Sequence, residues 1–511
     1  MRTPSFFYFS TEFQRLLILL IIKIFFIIGL ILYGNIGLGP DEAQYWTWSR
    51  ALDWGYYSKP PAIAWQIWLG SQGFGQTELG VRIFSLLIAT LQSISVYRLA
   101  ICCGLRVSTA FWSGVVMAFC PIGILGSLFA ITDGGFLLFW TLAACVVASA
   151  LTQKQEPSPV VIGLLIACGA LFKWPIYFFW VFFLIAYYWQ FPQLNWRQVL
   201  MGITLSFAGL LPSLWWNISH DWATFRHVLA TAQGGSVQVS QGNIFEFLGS
   251  QILLFSPILF GLLGFSYWNL IRKFNKMPAA IIFCGVVSLG SLAFFLVFAL
   301  FQKMQGNWSI CAYPTGIVLL SWGINEGKTR FLSWLKGGVI LSVLLVSMIL
   351  MLPSFPHLLS YRINPFKHNM GWVSLKEALE KGGYNSEEHF LVSDKYQTTS
   401  LLSFYNPGQK RAYFINLWGI RKNQFSYWPP LIEEQKGKTG YFVWVENAPE
   451  LQKNWKAKLN HYQIKLEKYF EKVEFLGVNP LVYQNTQMVK GAFIFKCQNC
   501  ISTQPEDVNL Y

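Results

Sequence analysis

Residues 39–65 read G-P-D-E-A-Q-Y-W-T-W-S-R-A-L-D-W-G-Y-Y-S-K-P-P-A-I-A-W and follow an apolar run at 16–33. Proline lacks the amide hydrogen a continuing helix needs but is well suited to a helix's first position, so Pro40 ends that run and seeds a new helix. Asp41 and Glu42 then fall in its first turn, ahead of Tyr45, Trp46 and Trp48. Carboxylates there complement the helix dipole, and such an aromatic helix belongs at a membrane–water interface. Seventeen residues after Glu42 comes Lys59-Pro60-Pro61, a stiff extended element holding one cation between Tyr57 and Trp65. A lone interfacial lysine is ordinarily a snorkelling anchor. Acids and a cation fixed in one rigid aromatic loop, however, also supply a general base and an anion clamp within a short reach.

The surrounding composition fixes the solvent. Of 511 residues, 54% are hydrophobic, 17% aromatic and 12% charged, against roughly 25% charged in an ordinary soluble domain. With a mean hydropathy of +0.41, the chain is neither soluble, disordered nor fibrous. Apolar runs near 16–33, 82–101, 108–129, 135–151, 159–174, 176–190, 199–218, 248–270, 279–301, 310–324 and 335–353 approach the roughly 20 residues a bilayer core demands. They predict a mainly α-helical, multi-span protein of about eleven transmembrane helices. The first run carries Lys23 and lacks a small-residue cleavage site, so it reads as a retained span. Pro121 and Pro314 predict kinks.

The net charge of +14 reads as membrane topology, not as a nucleic-acid footprint. With a cytoplasmic N-terminus, the loops of that side hold twelve Lys and Arg, Arg272, Lys273 and Lys276 among them, against six on the other side. Residues 1–353 then form the membrane domain, with 34–81 as its first outer loop. Residues 354–511 lie outside as a soluble α/β domain carrying nineteen Lys and Arg and fourteen Asp and Glu. Strands are expected at 389–392, 411–415 and 441–445, and helices at 374–381 and 449–459. Seven of the nine cysteines fall in apolar runs; Cys497 and Cys500 have a spacing that suits a local disulfide.

Other charges gather on the same outer face. Thr132-Asp133, between the third and fourth runs, is a helix N-cap by the plain reading. An ionisable group so near the bilayer also invites a functional role. Lys173-Trp174-Pro175, Arg226-His227 and Lys303 near Gln305-Gly306-Asn307-Trp308 each read singly as anchors and jointly as a basic rim suited to a phosphate. Tyr45, Tyr57 and Trp308 would furnish aromatic cavity walls. His220, Asp221 and His227 lack the spacing of a helical metal pair and read as polar loop. A carboxylate pair could hold a divalent cation, though no dedicated ligand cluster is visible. P-loop, dinucleotide-binding, nucleophile-elbow and zincin signatures are absent from the sequence.

A first helix, an outer loop reading D-E-A-x-Y-W with K-P-P, then T-D at the next outer turn, resembles the GT-C glycosyltransferases. The similarity is to bacterial relatives of the protein O-mannosyltransferases and of the lipid A aminoarabinose transferase. It extends through G-A-L-F-K-W-P at 169–175, L-P-S-L-W-W-N at 211–217, Q-G-N-W at 305–308 and D-K-Y-Q-T-T-S-L-L-S-F-Y at 394–405. The resemblance implies transfer of a sugar, with inversion, from a polyprenyl-phosphate donor to an envelope lipid, glycan or protein at the outer face of the bacterial cytoplasmic membrane. It places the catalytic acid on Asp41, with Glu42 beside it, and a second acid on Asp133. Lys59 matches the lysine of the family's K-P-P element; Lys173, Arg226 and Lys303, read from the basic rim and not from the resemblance, are the further donor-phosphate candidates. Ser58 stands where the aminoarabinose branch has a glutamate, which points to the broader family.

Elementary chemistry agrees with that implication. A hydroxyl acceptor needs a base as its bond to the anomeric carbon develops, and the departing polyprenyl phosphate gains charge that a fixed cation stabilises. The competing reading is a transporter or flippase of a lipid-linked glycan, and a third is a scaffold binding envelope polymers. Charges on one face with few at midplane favour surface chemistry over passage.

Overall fold

A computed structural model describes the chain apart from residues 1–9, 192–194, 233–241, 328, 356, 449–450, 452–454, 502–509 and 511. Helix α1 (Thr11–Tyr33) ends as expected, and α2 (Pro40–Ser49) starts on Pro40. After it come α3 (Ala62–Phe74), α4 (Glu78–Cys102), α5 (Val107–Phe119), α6 (Pro121–Leu128), α7 (Asp133–Gln153) and α8 (Pro159–Ala170).

Among the described residues, six helical segments are long and apolar enough to cross a membrane: 11–33, 78–102, 133–153, 196–219, 279–298 and 329–354. Two bent pairs, α5 with α6 at 55° and Ile244–Phe255 with Pro257–Arg272 at 105°, bring the number up to eight if each pair is one span. The count of eleven is not reached because several apolar runs are split into short helices. The runs at 159–174 and 176–190, for example, form twelve-residue helices, Pro159–Ala170 and Phe179–Gln190, separated by the Lys173-Trp174-Pro175 break. Pro121 marks the first bend, whereas Pro314 sits in the first turn of Ala312–Asn325 and kinks nothing. Close approach replaces length where helices are short: a Cβ on Gly163 would lie 2.1 Å from the Gly202 carbonyl oxygen, the small-residue packing that membrane helices favour.

Beyond residue 354 the chain forms a mixed five-stranded sheet of order β2-β1-β3-β5-β4. Its strands are β1 (Phe390–Ser393), β2 (Tyr413–Phe414), β3 (Gly440–Asn447), β4 (Phe470–Gln484) and β5 (Gln487–Cys500). β1 runs parallel to β2 and β3, while β5 is antiparallel to β3 and β4. The three expected strands and the helix at 373–381 are present; the long β4–β5 hairpin was not foreseen. The helix expected at 449–459 begins at Trp455 and runs to Leu466; residues 449–450 and 452–454 lie outside the described ones. Cys497 and Cys500 are both free thiols buried in the sheet's core, so the disulfide their spacing would suit is not formed.

This domain, the outer domain by its expected side, rests on the first loop. One hydrophobic core joins Ile31, Trp46, Trp48 and Ile63 of the loop region with Leu401, Phe404, Tyr441 and Ile494 of the domain. Trp46 meets Phe404 edge-on at 5.0 Å, and Tyr405 Oη accepts from Leu38 N at 2.7 Å while donating to Glu78 at 3.1 Å. The aromatic helix expected at the lipid interface is therefore buried under protein, with Trp46 and Trp48 at most 1% exposed.

Candidate active site

The first turn of α2 divides two neighbouring acids. Glu42 turns inward: its Oε2 accepts from Gly39 N at 3.0 Å, which caps the helix, and its Oε1 accepts from Ala130 N at 2.9 Å. Arg82 of α4, wholly buried, donates Nε to Oε1 at 2.9 Å and Nη2 to Oε2 at 2.7 Å. The same guanidinium donates to the Ile36 and Gly37 carbonyls at 2.8 and 2.9 Å. All of this holds the loop entrance, α4 and the approach to α7 together. Glu42, expected beside the catalytic acid, has its carboxylate fully engaged and does not line the cavity described next.

Asp41, one residue earlier, points the other way, into a cavity of about 540 Å³ between the helix ends and the outer domain. Among the described residues its carboxylate makes no hydrogen bond or ion pair. Removal from bulk water raises its pKa above the ordinary carboxylate value; Lys59 opposes that rise and Glu42 adds to it. Lys59 lines the same cavity, half-buried and likewise without a side-chain hydrogen bond or ion pair among the described residues. Burial lowers its pKa, and Lys173 adds to that, while Asp133 and Asp41 oppose it.

Asp133 opens α7, but its carboxylate caps no amide. Oδ1 takes Lys173 Nζ at 2.5 Å and Oδ2 takes Asn307 Nδ2 at 3.0 Å. Gly135 lets this happen, since a Cβ there would meet the Phe172 ring at 2.4 Å and push the Lys173 turn away. Lys173 is thus the counter-ion of Asp133. Tyr45, Tyr57 and Trp308 line the cavity as expected. Arg226 and Lys303 do not: Arg226 pairs with Asp221 at 2.8 Å on an exposed surface, and Lys303 is exposed outside the lining. Of the basic rim expected from Lys173, Arg226 and Lys303, only Lys173 lines this cavity.

Other lining residues were not anticipated. His227 sits 4.8 Å from the Tyr57 ring, and burial, then Arg421 and Lys59, bring its pKa down to about 4, which leaves it neutral. His220 instead stacks on Trp216 at 4.1 Å. Lys395, Tyr396, Arg421, Lys422 and Asn423 descend from the outer domain as a roof. Gln424 fixes that roof by accepting from Tyr57 N at 2.7 Å. The 394–405 stretch that carries the resemblance was a usable signal for Lys395 and Tyr396; nothing local marked Arg421. Among the described residues no three His, Cys, Asp or Glu side chains gather as for a metal ion.

An uncommitted carboxylate facing an uncommitted ammonium, walled by aromatics at one end of a helical bundle, can take a proton from a hydroxyl and hold a leaving anion. Comparison with known proteins bears on that chemistry. The family described as dolichyl-phosphate-mannose-protein mannosyltransferase matches residues 58–216. The lipid A galacturonosyltransferase RgtD of Rhizobium johnstonii is 26% identical over 441 residues, which cover 83% of this chain and 90% of that one. The chain is a membrane glycosyltransferase. The undecaprenyl phosphate-alpha-4-amino-4-deoxy-L-arabinose arabinosyl transferase of Erwinia tasmaniensis is 31% identical to this transferase over 146 residues, 25% of this chain and 26% of that one. Among solved structures, apo ArnT from Cupriavidus metallidurans matches with a TM-score of 0.61 at 13% identity, covering 95% of this chain and 98% of that one. The ArnT structure bound to undecaprenyl phosphate gives 0.60. The transferase therefore shares the ArnT fold, outer domain included.

Proposed function

We propose that this transferase moves a sugar from a polyprenyl-phosphate donor to a hydroxyl or phosphate of an envelope lipid such as lipid A, at the outer face of the cytoplasmic membrane. The named activities of the relatives support the donor and acceptor classes, and the lysine- and arginine-rich loops opposite the cavity support the orientation. The single observation that carries the reading is Asp41 facing Lys59 in one cavity, neither with a side-chain hydrogen bond or ion pair among the described residues, while Glu42 and Asp133 nearby are fully engaged.

In this mechanism Asp41 accepts the acceptor's proton as its oxygen bonds to the anomeric carbon. The bond from that carbon to the phosphate oxygen breaks, and the departing phosphate's new charge is met by Lys59. Asp133, held by Lys173 and Asn307, orients the cavity wall; among the described lining carboxylates only Asp41 is unbonded, which supports inversion by direct displacement over a covalent glycosyl intermediate. Glu42 positions Asp41 through α2.

Purified protein in vesicles, given radiolabelled undecaprenyl-phosphate sugar and lipid A, tests this reading. Labelled glycolipid is expected. Label that crosses the membrane unaltered with no new glycoside would favour translocation and overturn the proposal.

A further inference from the structure

The roof carries more positive charge than a phosphodiester donor requires. Among the described residues three cavity cations, Lys59, Lys395 and Arg421, have no side-chain hydrogen bond or ion pair, and they face one uncommitted acid, Asp41. A donor phosphodiester brings one negative charge, which Lys59 answers from the membrane side. The two roof cations are left for something else.

The loop that bears Arg421 is built as a site. Asn416 closes it by exchanging two hydrogen bonds with the Ile420 backbone at 2.8 and 2.9 Å. Trp418 donates to the buried Asp394 at 2.7 Å, and Gln424 ties the loop to Tyr57. Asn423, 4% exposed and part of the cavity lining, uses its side-chain carbonyl oxygen on Phe425 N, but its buried amide nitrogen has no acceptor among the described residues. A buried unsatisfied donor costs roughly 1–3 kcal/mol, and a ligand oxygen would recover that. Arg421 is near enough to the groups that matter to act on His227 together with Lys59, and on Tyr396 together with Asp41.

We infer that Arg421, Lys395 and the Asn423 amide form a second anion subsite that reads a carboxylate or phosphate carried beside the reacting centre, either on an acidic donor sugar or on a phosphorylated acceptor. A cationic amino sugar is repelled by the same charges. This rests on the proposed transferase reaction and names the substrate chemistry for it.

The test compares kcat/KM of the full-length protein across two substrate pairs: undecaprenyl-phosphate hexuronate against its neutral methyl ester, and lipid A against dephosphorylated lipid A. A preference of about 10-fold or more for the anionic member of one pair is expected, the size of a hydrogen bond to a charged group, and the pair concerned identifies which molecule carries the anion. R421Q should bring that preference to within about 2-fold, and R421K should keep most of it. Binding of the preferred substrate should also raise the His227 imidazole pKa by NMR in wild type and less so in R421Q. K395Q, with melting temperature recorded, serves if R421Q does not fold. Equal rates for both members of both pairs, or an R421Q loss shared equally by charged and neutral substrates, would overturn the subsite while leaving the transferase reading intact. No transfer from any donor would instead sink the transferase reading.

Discussion

Asp41 and Glu42 are adjacent in sequence and opposite in fate. Glu42 lies in the region below the cavity, where Arg82 and two backbone amides saturate its oxygens; Asp41 lies in the cavity with no hydrogen bond or ion pair among the described residues. The contrast teaches that an acid's role here is set by what its oxygens already hold. A fully bonded carboxylate is poor as a base, because protonating it breaks bonds; an unbonded, desolvated one gains from taking a proton.

Substitutions that exchange these two roles break the comparison most directly. D41N should lower turnover by about 10²- to 10⁴-fold, the worth of general base catalysis, with donor binding and the thermal melt little changed; wild-type turnover at matched expression would refute the assignment. E42Q should do the reverse. Removing one partner of a buried ion pair costs about 3–5 kcal/mol, so the melting temperature should fall sharply and any loss of activity should follow the folded fraction. K59A should lower kcat by about 10²-fold through the leaving phosphate, and an effect confined to expression level would make Lys59 an anchor. Because burial raises the Asp41 pKa, the base form is lost as pH falls through that raised value. The acid limb of kcat/KM should therefore lie above the ordinary carboxylate midpoint, and a limb at the ordinary value would show Asp41 to be well solvated. The smallest effect is expected for R226A: its exposed ion pair with Asp221 is worth about 0.2–1 kcal/mol, so activity should stay within about 2-fold.

How much of this could be read beforehand depends on sequence distance. The span pattern was legible because a bilayer imposes length and apolarity on continuous segments. Asp41, Lys59, Asp133 and Asn307-Trp308 were legible because alternate loops share a face, so each falls on the same side without knowledge of packing. The fate of Glu42 was hidden: its partner, forty positions on, reads as an ordinary residue at the start of a span. The roof was hidden for a stronger reason. Gln424 reaches Tyr57 across 367 positions, and no periodicity in either segment reports that pairing. That Arg226 and Lys303 lie outside the cavity lining was hidden likewise: topology sets the face on which a residue falls, but tertiary contacts set its place on that face.

The core shared by Trp46, Phe404 and Ile494 carries a consequence for how such enzymes diversify. An outer domain fused over the first loop in this way cannot be swapped like a cassette, since a foreign sheet would leave two tryptophans facing water and remove one wall of the reaction chamber. A new specificity must therefore be acquired by joint change in the loop and its cover, and chimeras joined near residue 353 should work only when residues 34–81 travel with the tail.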